Sequence, residues 1–282
     1  MKLTISYRAE YAYDKPVSLS PHVVRLFPRD AWPVRVTALD FSTNVSADVH
    51  WRRDIFDNLV ARCFYPDHEP RLIFSFDASV ETVARNPFGF LLETRALKLP
   101  VAYDGRECAL LDVCLGPDDL ALPEGLRPAG DVDTVEALVG MNEWIYRNIA
   151  YERREEGEAF APEETLNRGR GACRDTAVLL AAALRARGLA ARLASGYLWE
   201  SASDPAERKA DSALHAWTEV YLPGAGWVAM DPSNGVFADH HYIATAVGTL
   251  PEDIAPVSGL YFGDQPVPGR LATSLRIERA DA

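Results

Sequence analysis

The stretch NRGRGACRDTAVLLAAALRARG, residues 167–188, constrains this chain more than any other. A glycine-rich lead-in gives way to a nearly all-apolar run from about 173 to 187. Gly188 then supplies the left-handed residue that commonly ends a helix. A helix that is apolar almost all round cannot lie on a surface, so it must be the central helix of its domain. The rest of the fold has to wrap it.

Cys173 opens that helix. A thiol attacks as its thiolate, and a free thiol titrates near ~8.5. The unpaired amides and dipole at a helix N-terminus favour an anion and lower that value. Gly169 and Gly171 let the backbone enter tightly, and Arg168, Arg170 and Arg174 add positive potential. The Cys173 N–H would point toward a carbonyl under attack, as one oxyanion donor. By itself the segment reads more readily as a structural cysteine at the start of a buried helix.

Upstream, residues 1–118 read as short strands. LTISYRAEYAY and VRVTALDFSTNVSADVHWRRD alternate with period two, and RCFYPD, RLIFSFDASVETV and ECALLDVCL continue the pattern between Pro, Gly, Asp and Asn turns. Many short strands of this kind predict an antiparallel β-sandwich. The segment GPDDLALPEGLRPAGDVD breaks the pattern, which places a linker around 116–131 and domains at 1–118 and 119–282. TVEALVGMNEWIYRNIA then has helical spacing, and PEETLNRGR reads as a short helix with proline in its first turn. After the central helix come the strand ARLASGYLWE and a polar loop, 199–212, expected to act as a lid. The strands ALHAWTEVYL and WVAMD lie on either side of a PGAG turn. RLATSLRIERA is a last strand, and either domain can receive its residues 270–279.

Composition narrows the function classes. Of 282 residues, 48% are apolar and 25% charged, as in a soluble globular protein. A net charge of −12 argues against nucleic acid, whose binders need a basic footprint, and against an anionic membrane surface. No run approaches the ~20 apolar residues of a membrane span. The start lacks the apolar core of a signal peptide, so a cytoplasmic protein is expected. There Cys63, Cys108 and Cys114 should be free thiols, and their strand-like surroundings make them small buried hydrophobes.

Two residues change the standing of Cys173. In ALHAWTEVYL, alternation puts His215, Trp217, Glu219 and Tyr221 on one face and Ala216, Thr218, Val220 and Leu222 on the other. An imidazole two places from an indole suits a ring packed in a cleft. Asp231 ends the next strand, before Pro232. Symmetric pairing of Leu222 with Trp227 would leave Asp231 opposite Thr218, on the wrong face. A one-residue bulge at Gly224 or Gly226 would set it opposite Trp217 and diagonal to His215. The alternative role for Asp231 is a turn with Pro232, Ser233 and Asn234.

Together, G-x-C-R-D at 171–175, R-A-R-G-L-A-A-R at 185–192, S-G-Y at 195–197, H-A-W-T-E-V-Y-L-P-G at 215–224 and G-W-V-A-M-D-P-S-N-G at 226–235 resemble the core of the transglutaminase-like superfamily. YAYDKPVSLSPHVVRLFPRD resembles the β-rich domain that precedes this core in bacterial members, and the downstream HHYIATAVG with PEDIAPVSG also resembles that group. Thr218 departs from the pattern, which has a small apolar residue there. The resemblance implies an α+β fold: an N-terminal antiparallel β-sandwich, then a papain-like core with a cysteine-bearing helix packed on an antiparallel sheet. It implies Cys173 as nucleophile, His215 as general base and acid, and Asp231 as the group orienting the imidazole. The reaction would be acyl transfer at a peptide or other amide through a thioester, with hydrolysis preferred. Protein-glutamine transamidation and a non-catalytic peptide-binding module are the alternatives. Trp144, Tyr151 and Tyr197 are candidates for a second oxyanion donor or for plain packing.

No cofactor is implied, and no metal. Asp239, His240 and His241 sit together, but adjacent histidines in a strand point to opposite faces and seldom chelate one ion. His22, His50 and His68 lie apart. The acidic pairs 118–119 and 155–156 read as solvated faces. A serine hydrolase is excluded for want of G-x-S-x-G, and no phosphate-binding loop of the G-x-x-x-x-G-K type occurs.

Overall fold

Leu3, Ile5, Tyr7 and Ala9 are buried and alternate with more exposed neighbours, so the first strand sets one wet face against one dry one. The computed structural model describes residues 1–43, 47–66, 68–116, 120–154, 157–199, 214–263 and 268–280. In chain order its strands and helices are β1 (Lys2–Leu19), β2 (His22–Val24), β3 (Val34–Thr43), β4 (Asp48–Arg53), β5 (Leu59–Phe64), β6 (His68–Thr82), α1 (Gly105–Leu111), α2 (Thr134–Asn148), β7 (Ala150–Tyr151), α3 (Pro162–Arg168), β8 (Arg170–Gly171) and α4 (Cys173–Arg185). Then come β9 (Ala191–Leu198), β10 (Leu214–Leu222), β11 (Gly226–Asp231), β12 (Val236–Phe237), β13 (Tyr242–Gly248), β14 (Val257–Ser258), β15 (Tyr261–Phe262) and β16 (Gly269–Arg279).

The N-terminal strands form the expected sandwich. One sheet runs β15-β1-β6-β3 with β16 also on β1, and the other runs β14-β2-β5-β4; their pairings are antiparallel. Their inner faces share one core that includes Ile5, Phe74, Phe76, Val24 and Cys63. The last strand therefore packs back on the N-terminal sheet, where Leu3 pairs with Arg279 and Tyr13 with Gly269.

A third sheet, β12-β11-β10-β9-β13, is antiparallel and carries α4 on one face. Ala216, Val220, Leu222 and Met230 share a buried cluster with Leu179, Leu180 and Leu184 of α4 and Leu138, Met141 and Ile145 of α2. The other face meets the sandwich. Tyr197 and Ile243 join the sandwich core, and Asn58 donates to the Val247 carbonyl at 2.8 Å. Helix α4 is thus enclosed by a sheet and other helical segments, as its composition demanded.

Two local expectations are corrected. ECALLDVCL is not a strand: it forms α1 and a 3-10 turn at Asp112–Cys114. Asp104 caps the helix, accepting from the Arg106 and Glu107 amides, while the Glu107 carboxylate accepts the Asp104 N–H at 2.9 Å. That reciprocal cap outweighs the apolar alternation. Cys108 consequently lies exposed on α1, whereas Cys63 and Cys114 are buried. The residues read as a linker also contribute to packing, since Leu122 and Leu126 are buried in the α4 cluster. Ala96, Leu99 and Val101 join the same cluster from upstream. The boundary at 118/119, both acidic pairs and the lid from residue 200 lie outside the described residues. Among the described residues, no helix is long and apolar enough to cross a membrane.

Candidate active site

The position of Cys173 is set by the way α4 begins. Asp175 is wholly buried, and its Oδ2 accepts the Ala172 N–H at 2.7 Å, which fixes the residue just before the helix. Its Oδ1 accepts from Arg154 Nη2 at 2.7 Å and from the Phe160 N–H at 2.9 Å. Gly171 is required by this clasp, because a Cβ there would come within 2.8 Å of the Asp175 Cβ. Gly169, at φ 60°, ends α3 in the left-handed region. The short parallel pairing of β7 with β8 sets Tyr151 beside Gly171, two residues before the cysteine.

His215 enters from β10. Its Nε2 lies 2.7 Å from Asp231 Oδ2, so Nδ1 is the ring nitrogen left for sulfur, and the imidazole interacts with the Cys173 thiol. The Ala216 amide also favours the thiolate. The ring stacks on Trp217 at 6.4 Å between centroids, with 25° between planes.

Asp231 reaches His215 because the hairpin has the shifted register. Leu222 faces Gly226 and Thr218 faces Met230, which sets Asp231 one step on, opposite Trp217. Gly224 (φ 92°) and Gly226 (φ 75°) take the left-handed conformations of the tight turn, closed by Ala225 N–H to Leu222 C=O at 3.0 Å. A Cβ on Gly224 would also meet the Leu91 carbonyl at 2.7 Å.

The Asp231 carboxylate is fully buried and densely satisfied. Oδ2 accepts from His215, from Tyr242 Oη at 2.7 Å and from Asn234 Nδ2 at 2.7 Å. Oδ1 accepts from the Ser233 N–H at 2.9 Å and the Ser233 hydroxyl at 2.7 Å. Asp231 therefore makes the turn with Ser233 and Asn234 and holds the imidazole as well. Asn142 of α2 anchors the same corner, donating to the Val236 carbonyl at 3.2 Å.

This geometry sets the electrostatics. Burial pushes Asp231 up, but the charge and hydrogen bond of His215, with Ser233 and Tyr242 donating, hold it at about 2. Burial pulls His215 down, but the charge and hydrogen bond of Asp231, and then Cys173, raise it to about 10. Burial raises the Cys173 thiol, and the His215 hydrogen bond and charge with the Ala216 amide bring it below its ordinary value. The neighbouring arginines are engaged elsewhere. Arg168 pairs with Glu164 at 2.7 Å, Arg170 lies 3.5 Å from Glu152, and Arg174 donates to the Arg154 carbonyl at 3.0 Å. The thiol is tuned by the imidazole and the β10 amide.

Of the three aromatic candidates, Tyr197 is a core residue: it is fully buried and donates to the Leu26 carbonyl at 2.7 Å. Trp144 lines a cavity of about 700 Å³ with Leu122, Ile149 and Leu166, and Cys173 is not part of that lining. Tyr151 is half-exposed and lies within electrostatic reach of both Cys173 and Asp231, although burial is the first cause of its raised pKa. Thr218 is buried, and its hydroxyl donates to the Ala177 carbonyl of α4 at 2.8 Å, which explains a hydroxyl where the family has a small apolar residue. Sequence reasoning missed Tyr242 as a partner of Asp231. It arrives on β13, two strands from β10, and no local pattern announces that pairing. His240 and His241 lie in a turn and not in a strand, with ring centroids 4.2 Å apart. The opposite-face argument therefore does not apply to them.

Comparison with known proteins agrees with this architecture. Residues 125–232 match the transglutaminase-like superfamily core, and residues 3–81 match the bacterial transglutaminase-like N-terminal region. An uncharacterized protein of Mycobacterium tuberculosis (strain H37Rv) is 28% identical over 276 residues, spanning 92% of this chain and 87% of its own. An uncharacterized protein of Mycobacterium leprae (strain TN) is 24% identical over 263 residues, spanning 93% and 94%. A crystal structure from Cytophaga hutchinsonii, of a protein proposed to be a cysteine protease, shares the fold with a TM-score of 0.74 at 18% identity. It covers 100% of this chain and 91% of its own. Thiol-dependent catalysis in general goes with this membership. With both halves matched in order, the chain belongs to the transglutaminase-like superfamily and joins its core to the bacterial N-terminal region.

Proposed function

We propose that the protein is a cysteine hydrolase that cleaves an amide bond through a thioester on Cys173. One observation carries this reading. A fully buried carboxylate, Asp231, holds an imidazole at 2.7 Å, and that imidazole lowers the pKa of a thiol at a helix N-terminus. A depressed thiol beside a raised imidazole describes a thiolate–imidazolium pair.

The thiolate attacks the amide carbon, and the carbonyl oxygen becomes an oxyanion facing the unpaired Cys173 N–H. The imidazolium gives its proton to the departing nitrogen, so the C–N bond breaks and an amine leaves. A thioester and a neutral imidazole remain. The imidazole then takes a proton from water as the oxygen attacks the thioester. The C–S bond breaks, a carboxylic acid departs, and the ion pair is restored. Asp231 stays ionised and orients the ring. Water as acceptor needs no second binding site, and the Cytophaga neighbour proposed to be a cysteine protease agrees with a peptide or amide substrate. A reducing cytoplasm suits a free nucleophilic thiol.

Alkylation by iodoacetamide across pH, with Cys173→Ala beside the wild type, tests the nucleophile. Exposed Cys108 is the internal reference. Cys173 should be alkylated well below pH 8, where Cys108 is slow. Equal reactivity of the two thiols would overturn the reading in favour of a binding module. A screen of peptide amides with and without added primary amine then tests hydrolysis: free acid should dominate, and an amine-capped product as the main species would assign transamidation.

A further inference from the structure

The turn between β12 and β13 brings three consecutive donor side chains together. Asp239, His240 and His241 each offer a ligand atom, and these atoms lie within 4.8 Å of one another. His241 Nδ1 is 2.8 Å from Asp239 Oδ1, and His240 Nδ1 is 3.7 Å from Asp239 Oδ2. We propose that Asp239, His240 and His241 form a binding site for one divalent transition-metal cation of the zinc class.

Two features of the turn separate this from an ordinary histidine–aspartate pair. His240 Nδ1 is buried and has no hydrogen-bond partner among the described residues, yet it faces the carboxylate. Its 3.7 Å separation is too long for a hydrogen bond. It is close to the ~3.4 Å edge of a tetrahedron built on metal–ligand bonds of about 2.1 Å. A cation between these atoms satisfies the orphaned nitrogen, while the carboxylate is already held by the His241 amide at 2.9 Å. The second feature is rigidity. His241 stacks on Trp199 at 5.3 Å with 13° between planes, and Trp199 N–H donates to the His241 carbonyl at 3.0 Å. The ring is therefore held in place before any ion arrives.

Imidazole nitrogens with one carboxylate select zinc, cobalt, nickel or copper over calcium and magnesium, which want oxygen. Three protein ligands on a part-exposed turn hold the cation less tightly than a closed four-ligand zinc site would. Water completes the coordination, since the three side chains remain part-exposed. The next residue is Tyr242, which donates to Asp231, so an ion here would stiffen the backbone behind the candidate active site.

The test uses the full chain carrying Cys173→Ala, because a thiolate would itself bind zinc. After chelator treatment it is titrated with zinc by calorimetry and with cobalt(II) by visible absorption. One equivalent should bind. Loss of even an outer partner of a metal site costs about 10–100-fold in affinity. His240→Ala with His241→Ala should therefore weaken binding by about 100-fold or more, and should abolish the cobalt absorption. Unchanged affinity in the double variant, or no binding to the parent, overturns the site. Should circular dichroism show the double variant unfolded, Asp239→Asn decides by the same titration: weakened binding supports the site, and unchanged binding overturns it.

Discussion

Cys173 stands between two fully buried aspartates that resemble each other in burial but differ in what faces them. Asp175, on the helix side, is met by two backbone amides and the guanidinium of Arg154. Amide N–H groups and a guanidinium act only as donors, so Asp175 is a fixed clasp on the first turn of α4. Asp231, on the strand side, is met by Ser233, Asn234, Tyr242 and the imidazole of His215. One of those partners titrates and also touches the sulfur. A permanently charged partner makes a structural aspartate, and a titratable one makes a candidate for chemistry.

The largest test of this contrast is Asp231→Asn. It keeps the shape and removes the charge that raises His215. An aspartate behind a catalytic histidine contributes on the order of 10⁴-fold in kcat, and a loss of about that size is expected in amide turnover. The pH dependence of stability should change too. In the wild type His215 is raised to about 10, so its contribution is full below its ordinary value near 6.5 and fades as pH rises toward 10. Asp231 is depressed to about 2, so its contribution holds above about 4 and is lost as pH falls through about 2. Melting temperature against pH should show both limbs in the wild type and a flattened curve in the variant. A variant with unchanged turnover would remove Asp231 from the chemistry.

Asp175→Asn sharpens the comparison from the other side. Removing one partner of a buried ion pair costs about 3–5 kcal/mol, and the part-exposed Arg154 brings the expectation to the low end, about 3 kcal/mol. Chemical denaturation should show that loss. The turnover of the folded fraction should stay within about tenfold, and its pH profile should keep the wild-type limbs. A moved alkaline limb would show that Asp175 also tunes the imidazole.

The two aspartates are unequally legible in the sequence. The helix, its start at Cys173 and the strand alternation around His215 are local periodicities, and they survive in the structure. The register that brings Asp231 to His215 is readable because two glycines in one short turn permit a one-residue shift. Asp175 is not, since an aspartate in a first helical turn looks solvated and its partners Arg154 and Phe160 are 21 and 15 residues away. Cys108 misleads because apolar alternation looks like a strand while the Asp104–Glu107 cap makes a helix. Tyr242 is invisible, because the β13–β9 pairing that delivers it joins Tyr242 to Leu198, 44 residues back.

Tyr242→Phe tests the unread part at smaller scale. It removes one hydroxyl donor from Asp231 Oδ2 and leaves the imidazole and Asn234 in place. A hydrogen bond to a charged group contributes about 1.5–3 kcal/mol, and two remaining donors put this one at the low end. A fall of about tenfold in kcat with KM unchanged is expected for a positioning residue. A rise in KM alone would assign the phenol to substrate binding instead.

The smallest expected effect comes from the joint between the helix side and the strand side. Thr218 of β10 donates to the Ala177 carbonyl of α4, one turn beyond Cys173, and so ties the strand carrying His215 to the helix carrying the thiol. Thr218→Val keeps the β-branched shape and leaves that carbonyl one donor short. A net cost of about 1 kcal/mol in denaturation is expected, because a typical buried hydrogen bond contributes about that much. Ala177 C=O can still accept from its own helix, which keeps the penalty at the low end. If the hydroxyl only fills space, the valine variant will match the wild type in stability and turnover. If it sets the distance between imidazole and sulfur, alkylation of Cys173 at pH 6–7 will slow by a few-fold while Cys108 is unaffected, and Thr218→Ser will restore both.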